Sequence, residues 1–288
     1  METSYLQSFI LVVETGSMSE AARRLDLTPA AVAQQVRTLE RELKTALLAR
    51  AGRTVLPTEA GHRLLQRARL LLRDVNDLKV AIGSDAAGGE LRIGTINTAL
   101  HSMLPDILAR FNTAHPETQV FLQSGTSDRL YQSLLSGELD AAVCLYPPFQ
   151  LPKTFDWLLL REEPLVLLAP RRLAASDPHA LLRNSPFIRY DRSLGGGKQA
   201  DRYLRQAGIV PTERFELSSL LAIAMMVDRG LGVSLVPDIA SPLLNGQKIA
   251  KIALPLVTSA RRFGILWLRA APRLRLIRGF VESAHAAT

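Results

Sequence analysis

The sequence is poor in the side chains from which most catalytic and metal sites are built. Its 288 residues include one cysteine and five histidines, and aromatic residues make up 6% of the chain. The histidines are scattered, with no pair at the spacing of metal ligands, and no serine lies in a nucleophile elbow. We therefore expect no enzyme, no cofactor and no metal site.

The single cysteine excludes a disulfide framework within the chain, which fits a reducing compartment. Cys144 lies in the apolar run Ala141–Leu145, so we expect a small buried residue there, with a redox sensor as the alternative. No signal peptide pattern begins the chain, and no apolar run approaches the ~20 residues that span a bilayer. These features predict a cytoplasmic protein with no membrane partner.

Positive charge is plentiful and unevenly placed. The formal net charge is +8, from 35 Lys and Arg against 27 Asp and Glu. Between Ala21 and Arg73, eleven basic residues stand against four acidic ones. This concentration of charge favours an anionic partner for the N-terminal part of the chain.

Two short helical patterns separated by a tight break occupy residues 17–43. Ser17 and Glu20 have the spacing of a capping box, and Thr28 followed by Pro29 is typical of a helix start. The apolar stripe of the second helix consists of Val32, Val36, Leu39 and Leu43. Its opposite face carries Ala30, Gln34, Arg37, Thr38 and Arg41.

The amide and guanidinium groups on that face can form bidentate hydrogen bonds with base edges or phosphates, which predicts a helix that enters the major groove of DNA. An ordinary solvated helix face is the alternative. The segment Arg50–Thr58 has the pattern of a small hairpin wing, whose arginines can reach the DNA backbone or the minor groove. A helix-turn-helix followed by a wing is therefore the favoured interpretation.

The combined motifs resemble those of the LysR-type transcriptional regulators. The resemblance is carried by Leu6–Phe9, Gly16–Ser17, Ala21–Leu25, Ala31–Arg37, Leu39–Glu40, Leu47–Arg50 and Leu56–Gly61, and it continues into the second half of the chain. From the motifs and the resemblance together, the expected DNA-binding residues are Thr28, Pro29, Ala33, Gln34, Arg37, Arg50 and Arg53.

The chain departs from the family pattern in four places. Pro29-Ala30 stands where the family has Gln-Pro, Ala33 where it has Ser, Lys44 where it has Gly, and Leu48 where it has an aromatic residue. The resemblance implies that the positions of Pro29 and Ala33 touch bases, and their polar groups are absent here. Operator preference is therefore expected to depend more on Gln34, Arg37 and DNA shape.

The pattern changes twice along the chain, which predicts three parts. We expect a winged helix-turn-helix domain at 1–58, a linker helix and hinge at 59–88, and an effector-binding domain at 89–288. The linker carries a heptad seam of Leu64, Ala68, Leu71, Val75, Leu78 and Ile82. This seam favours a dimer, with packing against its own domain as the alternative. The small residues of Gly83–Gly89 predict a flexible joint.

After this joint, strands and helices alternate, which predicts a parallel α/β domain. The resemblance implies a periplasmic-binding-protein-like fold of two lobes, lobe I at about 89–162 and 266–288 and lobe II at about 163–265. It places the two crossings near Arg161–Leu165 and Ile265–Leu268. The expected fold class is thus α/β, with a mainly helical winged helix-turn-helix and a long linker helix before it.

Ligands of open α/β sheets bind at the carboxyl ends of strands, against helix N-termini. Polar residues expected at those ends are Asn97, Thr98, Thr126, Ser127, Tyr146, Tyr190, Ser193 and Ser218. The resemblance implies that Thr98 and Ser127 hold a small effector that bears a carboxylate. Helix capping alone is the alternative for Thr98, Ser127 and Ser218. The run Gly195–Lys198 lacks the spacing of a P-loop, and we expect a mobile lid there.

The sequence therefore predicts a sequence-specific regulator of the LysR type that responds to a small-molecule effector. Its expected partners are double-stranded promoter DNA, the effector, RNA polymerase and a second copy of the chain, and the resemblance implies a homotetramer. One alternative is a two-lobed solute-binding protein, against which the basic N-terminal module argues. The other is a constitutive DNA-binding protein whose cleft is vestigial.

Overall fold

The structure is a computed structural model that describes residues 2–52, 54–82 and 89–285, without the side chains of residues 76, 77 and 79–82. The chain divides into two compact units, Met1–Ala86 and Ala87–Thr288. The predicted joint lies almost wholly outside the described residues.

The first unit is a winged helix-turn-helix with a long helix after it. Its elements are α1 (Thr3–Thr15), α2 (Met18–Leu25), α3 (Pro29–Leu43), β1 (Leu48–Ala51), β2 (Thr54–Pro57) and α4 (Glu59–Ile82). β1 and β2 form an antiparallel hairpin. The order and bounds agree with the predicted helices and wing.

Two small apolar clusters hold this unit together. Phe9, Leu39, Leu47 and Ala68 bring α1, α3, the wing entrance and α4 into one cluster. The other cluster joins α1, α2 and α3 through Val12, Ala21, Ala22 and Val32. One residue of the predicted stripe differs, because Leu43 is 39% exposed. It lies in the last turn of α3, beyond the reach of either cluster.

The predicted seam of α4 divides into two parts. Leu64 and Ala68 pack against α1 and α3 of the same chain, so the alternative of packing within the domain is correct for this half. Leu71 and Leu78 are 41% and 62% exposed. The side chain of Ile82 lies outside the described residues. An apolar surface thus remains on the second half of the helix.

The second unit alternates strands and helices, as predicted. In chain order it contains β3 (Glu90–Thr95), α5 (Asn97–Leu100), α6 (Leu104–Ala114), β4 (Gln119–Ser124), α7 (Ser127–Leu135), β5 (Ala141–Leu145), β6 (Phe155–Glu163), β7 (Leu165–Pro170), α8 (Pro178–Asn184), β8 (Pro186–Tyr190), α9 (Gly195–Ala207), β9 (Thr212–Leu217), α10 (Leu220–Asp228), β10 (Ser234–Pro237), β11 (Ile249–Ala253), β12 (Arg261–Leu268) and α11 (Leu274–His285). Short 3-10 helices lie at Arg171–Leu173 and Pro242–Leu244.

These elements form two lobes. Lobe I has a five-stranded sheet in the order β4-β3-β5-β12-β6, and lobe II has the sheets β10-β7-β11 and β8-β9. A bridge between Phe187 and Val233 joins the two sheets of lobe II. The predicted two-lobed fold class is confirmed.

The sheets are mixed and not wholly parallel. β3 pairs in parallel with β4 and β5, whereas β12 is antiparallel to both β5 and β6. In lobe II, β10 and β11 are antiparallel to β7. The strands that run against their neighbours are β7 and β12, the first strand after each chain crossing. After a crossing, the chain enters the sheet of the other lobe from the opposite end.

The predicted position of the second crossing is wrong. β12 begins at Arg261 and pairs along its whole length with β6, so Ile265–Leu268 lies inside lobe I. The crossing falls earlier, between β11 and β12. The first crossing lies at Pro164, between β6 and β7, within the predicted range. The strands β6 and β11 and the helix α8 have no counterpart among the predicted elements.

The glycine run is also different from the expectation. Gly195, Gly196 and Gly197 form the first turn of α9, and the last two are buried. A Cβ at Gly197 would lie 1.9 Å from the carbonyl oxygen of Asp191. These glycines permit close packing of α9, and the prediction of a mobile lid is wrong. Within residues 2–52, 54–82 and 89–285, no helix is long and apolar enough to cross a membrane.

Candidate DNA interface and effector cleft

The turn between α2 and α3 is fixed by side-chain caps at both helix starts. Ser17 Oγ accepts a hydrogen bond from the N–H of Glu20 at 3.3 Å, and Thr28 Oγ1 accepts one from Ala31 at 3.1 Å. Only half of the predicted capping box forms, since the Glu20 carboxylate bonds to Arg23 and Arg24. These arginines lower the pKa of Glu20 to about 2. The carboxylate therefore stays charged in the first turn of α2, where it favours the helix.

The face of α3 opposite the core is open to solvent. Ala30, Gln34, Arg37 and Arg41 are exposed on it, and Ala33 is half-buried. Arg37 Nη2 donates to Gln34 Oε1 at 3.2 Å. Thr28 and Pro29 are exposed at the N-terminus of the helix. Amide and guanidinium groups therefore lie side by side on an exposed face of the first unit.

The wing is anchored from two sides. The N–H of Val55 donates to the carbonyl of Gly16 at 2.9 Å. Glu40 Oε1 accepts from the N–H groups of Leu47 at 2.8 Å and Leu48 at 3.2 Å. Arg50 is exposed on β1. Sequence reasoning missed this role of Glu40, although a lone acidic residue between Arg37 and Arg41 was a signal for it.

Arg53 lies outside the described residues, so the structure does not place this predicted contact. The turn around it is defined by its neighbours. Gly52 has φ +64°, a conformation that glycine adopts without strain, and Thr54 Oγ1 donates to the carbonyl of Ala51 at 2.9 Å. The wing hairpin is thus compact on both sides of Arg53.

In lobe I, the predicted effector residues have different local roles. Thr98 Oγ1 is buried and has no hydrogen-bond partner in the described part of the chain. Thr126 caps α7, since its Oγ1 accepts from the N–H of Arg129 at 3.5 Å. Ser127 Oγ accepts from the N–H of Leu145 at 3.2 Å, which ties the start of α7 to the end of β5. Asn97 is exposed at the start of α5.

Tyr146 lies at the end of β5 in an aromatic and basic setting. The Arg262 guanidinium carbon lies 3.7 Å from its ring centroid, and the Trp157 ring packs edge-on at 5.2 Å. Neither neighbour was predicted, because Trp157 lies on β6 and Arg262 on β12, and no local pattern shows how these strands are placed beside β5. This pair adds a cation at the carboxyl end of β5.

In lobe II, the predicted residues divide between buried and exposed positions. Tyr190 is 5% exposed, and burial raises the pKa of its hydroxyl, which therefore stays protonated. Ser193 and Ser218 are exposed. The capping hydroxyl of α10 belongs to Ser219, which accepts from Ala222 at 3.2 Å, so Ser218 is not the cap.

The two lobes meet near these residues. A Cβ built on Gly195 would lie 3.0 Å from Leu145 Cδ1, so the start of α9 packs against the end of β5. Ser241 Oγ donates to the carbonyl of His101, which is a direct hydrogen bond between lobes. At the crossings, the buried carboxylate of Glu163 bonds to Arg161 and Arg261. Arg261 Nη2 is buried without a partner in the described residues.

A cavity of about 760 Å³ also lies between the lobes. Ser102, Asp106 and Arg161 line it from lobe I, and Arg171, Ser241 and Lys251 line it from lobe II. None of the predicted effector residues lies in its wall. The structure therefore does not bring the predicted residues together around this cavity.

Comparisons with known proteins cover both units. The model of the bacterial regulatory helix-turn-helix proteins of the lysR family matches residues 3–62, and that of the LysR substrate binding domain matches residues 84–288. The regulator CzcR of Bacillus cereus is 31% identical over 242 residues, which are 83% of this chain and 81% of that protein. AlsR of Bacillus subtilis (strain 168) is 29% identical over 254 residues, 85% of this chain and 83% of AlsR.

Solved structures show the same fold. Full-length CbnR in complex with its target DNA has a TM-score of 0.71 at 24% identity and covers 100% of both chains. A full-length variant of OxyR from Pseudomonas aeruginosa has a TM-score of 0.70 at 23% identity, covering 99% of this chain and 95% of that chain. The family consists of transcriptional regulators and not of enzymes. The chain belongs to the LysR family, as a DNA-binding transcriptional regulator with an effector-binding domain.

Proposed function

We propose that the protein reads a specific operator with α3 and its wing, and that it responds to a small carboxylate-bearing molecule held between its two lobes. In this proposal residues 1–58 bind DNA, 59–88 pair two protomers and 89–288 bind the effector. The protein would act in the cytoplasm, where it meets its promoter. The single observation that carries the effector part is the buried hydroxyl of Thr98, which has no hydrogen-bond partner in the described part of the chain.

The DNA contacts divide by chemistry. Gln34 and Arg37 face outward from α3 and can form hydrogen bonds with base edges. Arg50 and Arg53 of the wing would bind backbone phosphate or the minor groove. Thr28, Pro29 and Ala33 lie on the first turns of α3 and would pack against the groove. These assignments make Gln34 a reader of sequence and the wing arginines general contacts.

The proposed effector contacts also differ from one another in their chemistry. A buried hydroxyl without a hydrogen-bond partner destabilises the fold unless a ligand satisfies it. The hydroxyl of Thr98, at the start of α5, has no partner among the described residues. Arg262 above Tyr146 adds a positive charge suited to a carboxylate. The other contacts in this proposal are Asn97, Thr126, Ser127, Tyr190, Ser193 and Ser218. Of these, Thr126 and Ser127 already accept hydrogen bonds from backbone N–H groups, and their O–H groups can donate to a carboxylate.

Assembly is part of the proposal. The exposed Leu71 and Leu78 would pair with a second α4, and two such dimers would form a tetramer. Two recognition helices related by two-fold symmetry then bind half-sites about one turn of DNA apart. An effector that binds one arrangement of the protomers better than another shifts the protein toward that arrangement, and this changes the spacing of the two recognition helices. Any contact with RNA polymerase would change with it.

Thermal shift of the intact protein with small carboxylates, amino acids and aromatic acids tests the effector. A ligand at a hundredfold excess over its Kd stabilises by about 2.7 kcal/mol, which gives a visible shift. Thr98→Val removes at constant shape a hydroxyl that has no partner among the described residues, so it should make the unliganded protein at least as stable and abolish most of the shift. Asp177→Ala, which removes the cap of α8 away from the proposed effector contacts, should lower stability by about 1 kcal/mol and retain the shift.

A specific observation also favours the alternative of a regulator without an effector. Gly195 and Leu145 already fill the space between α9 and β5. In that case no compound in the panel shifts the melting temperature, and DNA binding is unchanged by every one of them.

A further inference from the structure

Lys44 ends the recognition helix in a backbone conformation that lysine rarely adopts. Its φ is +52°, and among residues 2–52, 54–82 and 89–285 only Asp26 is another non-glycine residue with positive φ. An L-residue is strained there because its Cβ crowds the backbone, whereas glycine is not. Since glycine would end α3 without this strain, the turn geometry alone does not account for a lysine.

The position of Lys44 gives a reason for its charge. It lies on a recess of about 560 Å³ whose wall also contains Gln34, Arg37, Glu40, Arg41, Thr45 and Ala46. Three of these wall residues, Lys44 included, are cations. The one carboxylate among them belongs to Glu40, and its Oε1 is engaged by the N–H groups of Leu47 and Leu48.

Within the described part of the first unit, the three cations are not neutralised. Arg37 donates to Gln34 and Arg41 donates to Thr38 at 3.0 Å, and both acceptors are uncharged. No carboxylate of the described residues forms an ion pair with Arg37, Arg41 or Lys44. The recess therefore presents, directly beside Gln34, positive charge that no carboxylate of the described residues pairs.

We propose that this recess binds a backbone phosphate of the operator, with Lys44 as the principal contact and Arg41 beside it. The inference rests on the proposed use of α3 in DNA reading and extends the interface beyond the residues predicted from the sequence. A lysine is a compact charge suited to a phosphate, and phosphate contacts fix the register in which base readers meet the groove. Lys44 thus sets the position of Gln34 and Arg37, and the backbone strain is the cost of placing a charge at the turn.

The competing role for Lys44 is local. A cation at the end of a helix interacts favourably with the last carbonyls, with no need for DNA. The two roles differ in what they predict for binding. A helix-end role affects only stability, whereas a phosphate contact affects DNA affinity on every sequence and its dependence on salt.

The test uses the full chain, a duplex from its own control region, and an unrelated duplex of equal length. Fluorescence anisotropy is measured over a series of KCl concentrations for wild type, Lys44→Gln, Lys44→Gly and Lys44→Arg. Lys44→Gln should weaken binding to both duplexes by about fivefold to tenfold at 0.1 M salt and reduce the log–log salt slope by about one unit per bound protomer. Lys44→Arg should retain both.

Lys44→Gly separates binding from folding. It should lose as much affinity as Lys44→Gln while raising the melting temperature by roughly 2–4 °C, because the strain is relieved. Arg183→Gln, which removes an exposed charge from α8 in the other unit, should leave affinity and slope unchanged. Wild-type affinity and slope in both Lys44→Gln and Lys44→Gly would overturn the proposal. Failure of the underlying DNA reading is distinguishable, because the wild type itself would then show no preference for its own duplex.

Discussion

The carboxylate of Glu40 accepts a hydrogen bond from the N–H of Leu47 at 2.8 Å, and this contact joins the recognition helix to the wing. The same oxygen also accepts from Leu48. Two elements that would contact different parts of the DNA are thereby held at a fixed separation by one side chain.

Glu40→Ala should therefore destabilise the first unit. It leaves two backbone N–H groups at the wing entrance without their charged acceptor, at a cost of about 2 kcal/mol. Urea unfolding followed by circular dichroism measures the loss. Glu59→Ala is the matched control, because Glu59 pairs with the exposed Arg63 and should cost less than about 1 kcal/mol. Equal midpoints for the two variants would contradict the anchoring role.

The Cys144 thiol should be unreactive in the folded protein. Burial raises its pKa to about 12, so the thiol is neutral at every pH below that value and lacks the nucleophilic thiolate. Ellman's reagent at pH 8 should label the native protein negligibly and one thiol per chain in urea. Stoichiometric labelling of the native protein within minutes would instead favour the redox sensor.

The crossings between the lobes depend on a buried charge. Glu163 is 1% exposed and bonds to Arg161 and Arg261, whose side chains are 26% and 9% exposed. Glu163→Ala leaves these arginines without their carboxylate and should cost about 3–5 kcal/mol by calorimetry. Asp156→Ala, which breaks the exposed pair with Arg269, should cost less than about 1 kcal/mol. A loss at Glu163 no greater than at Asp156 would show that the cluster is not structurally important.

The exposed leucines of α4 should hold the dimer. Replacing Leu71 and Leu78 with Asp places two charges on the proposed seam, and light scattering should then report a monomer. Gln66→Asp adds a charge at an exposed position of the same helix and should leave the dimer intact. A double variant with the mass of the wild type would reject pairing through this helix.

The first unit could be predicted closely because its signals are local. Ser17 and Thr28 cap helices within three residues of themselves, and Val32, Val36 and Leu39 repeat at helical spacing. The division of the seam could not be predicted, since a heptad pattern does not say whether Ala68 faces its own domain or a second copy. That depends on where α1 packs.

The second unit depends on contacts that no local pattern encodes. The strand β6 pairs with β12 from a distant part of the chain, and Glu163 meets Arg261 across 98 positions. The glycine run at the start of α9 predicted a mobile lid. In the structure, Tyr190 lies against Gly196 and Asp191 against Gly197, so a side chain at either position would clash with its neighbour. The unpartnered Thr98 hydroxyl likewise became visible only in three dimensions.

In the proposed mode of binding, α3 reads duplex DNA while the wing binds its backbone. Fluorescence anisotropy with a duplex from the protein's own control region and with a scrambled duplex, across a salt series, tests it directly. We expect salt-dependent binding with a preference for the control region. Gln34→Ala should reduce that preference, and Arg50→Ala should weaken both complexes equally and flatten the salt slope by about one unit per protomer. Absence of salt-sensitive binding to any duplex by the wild type would contradict this mode of binding.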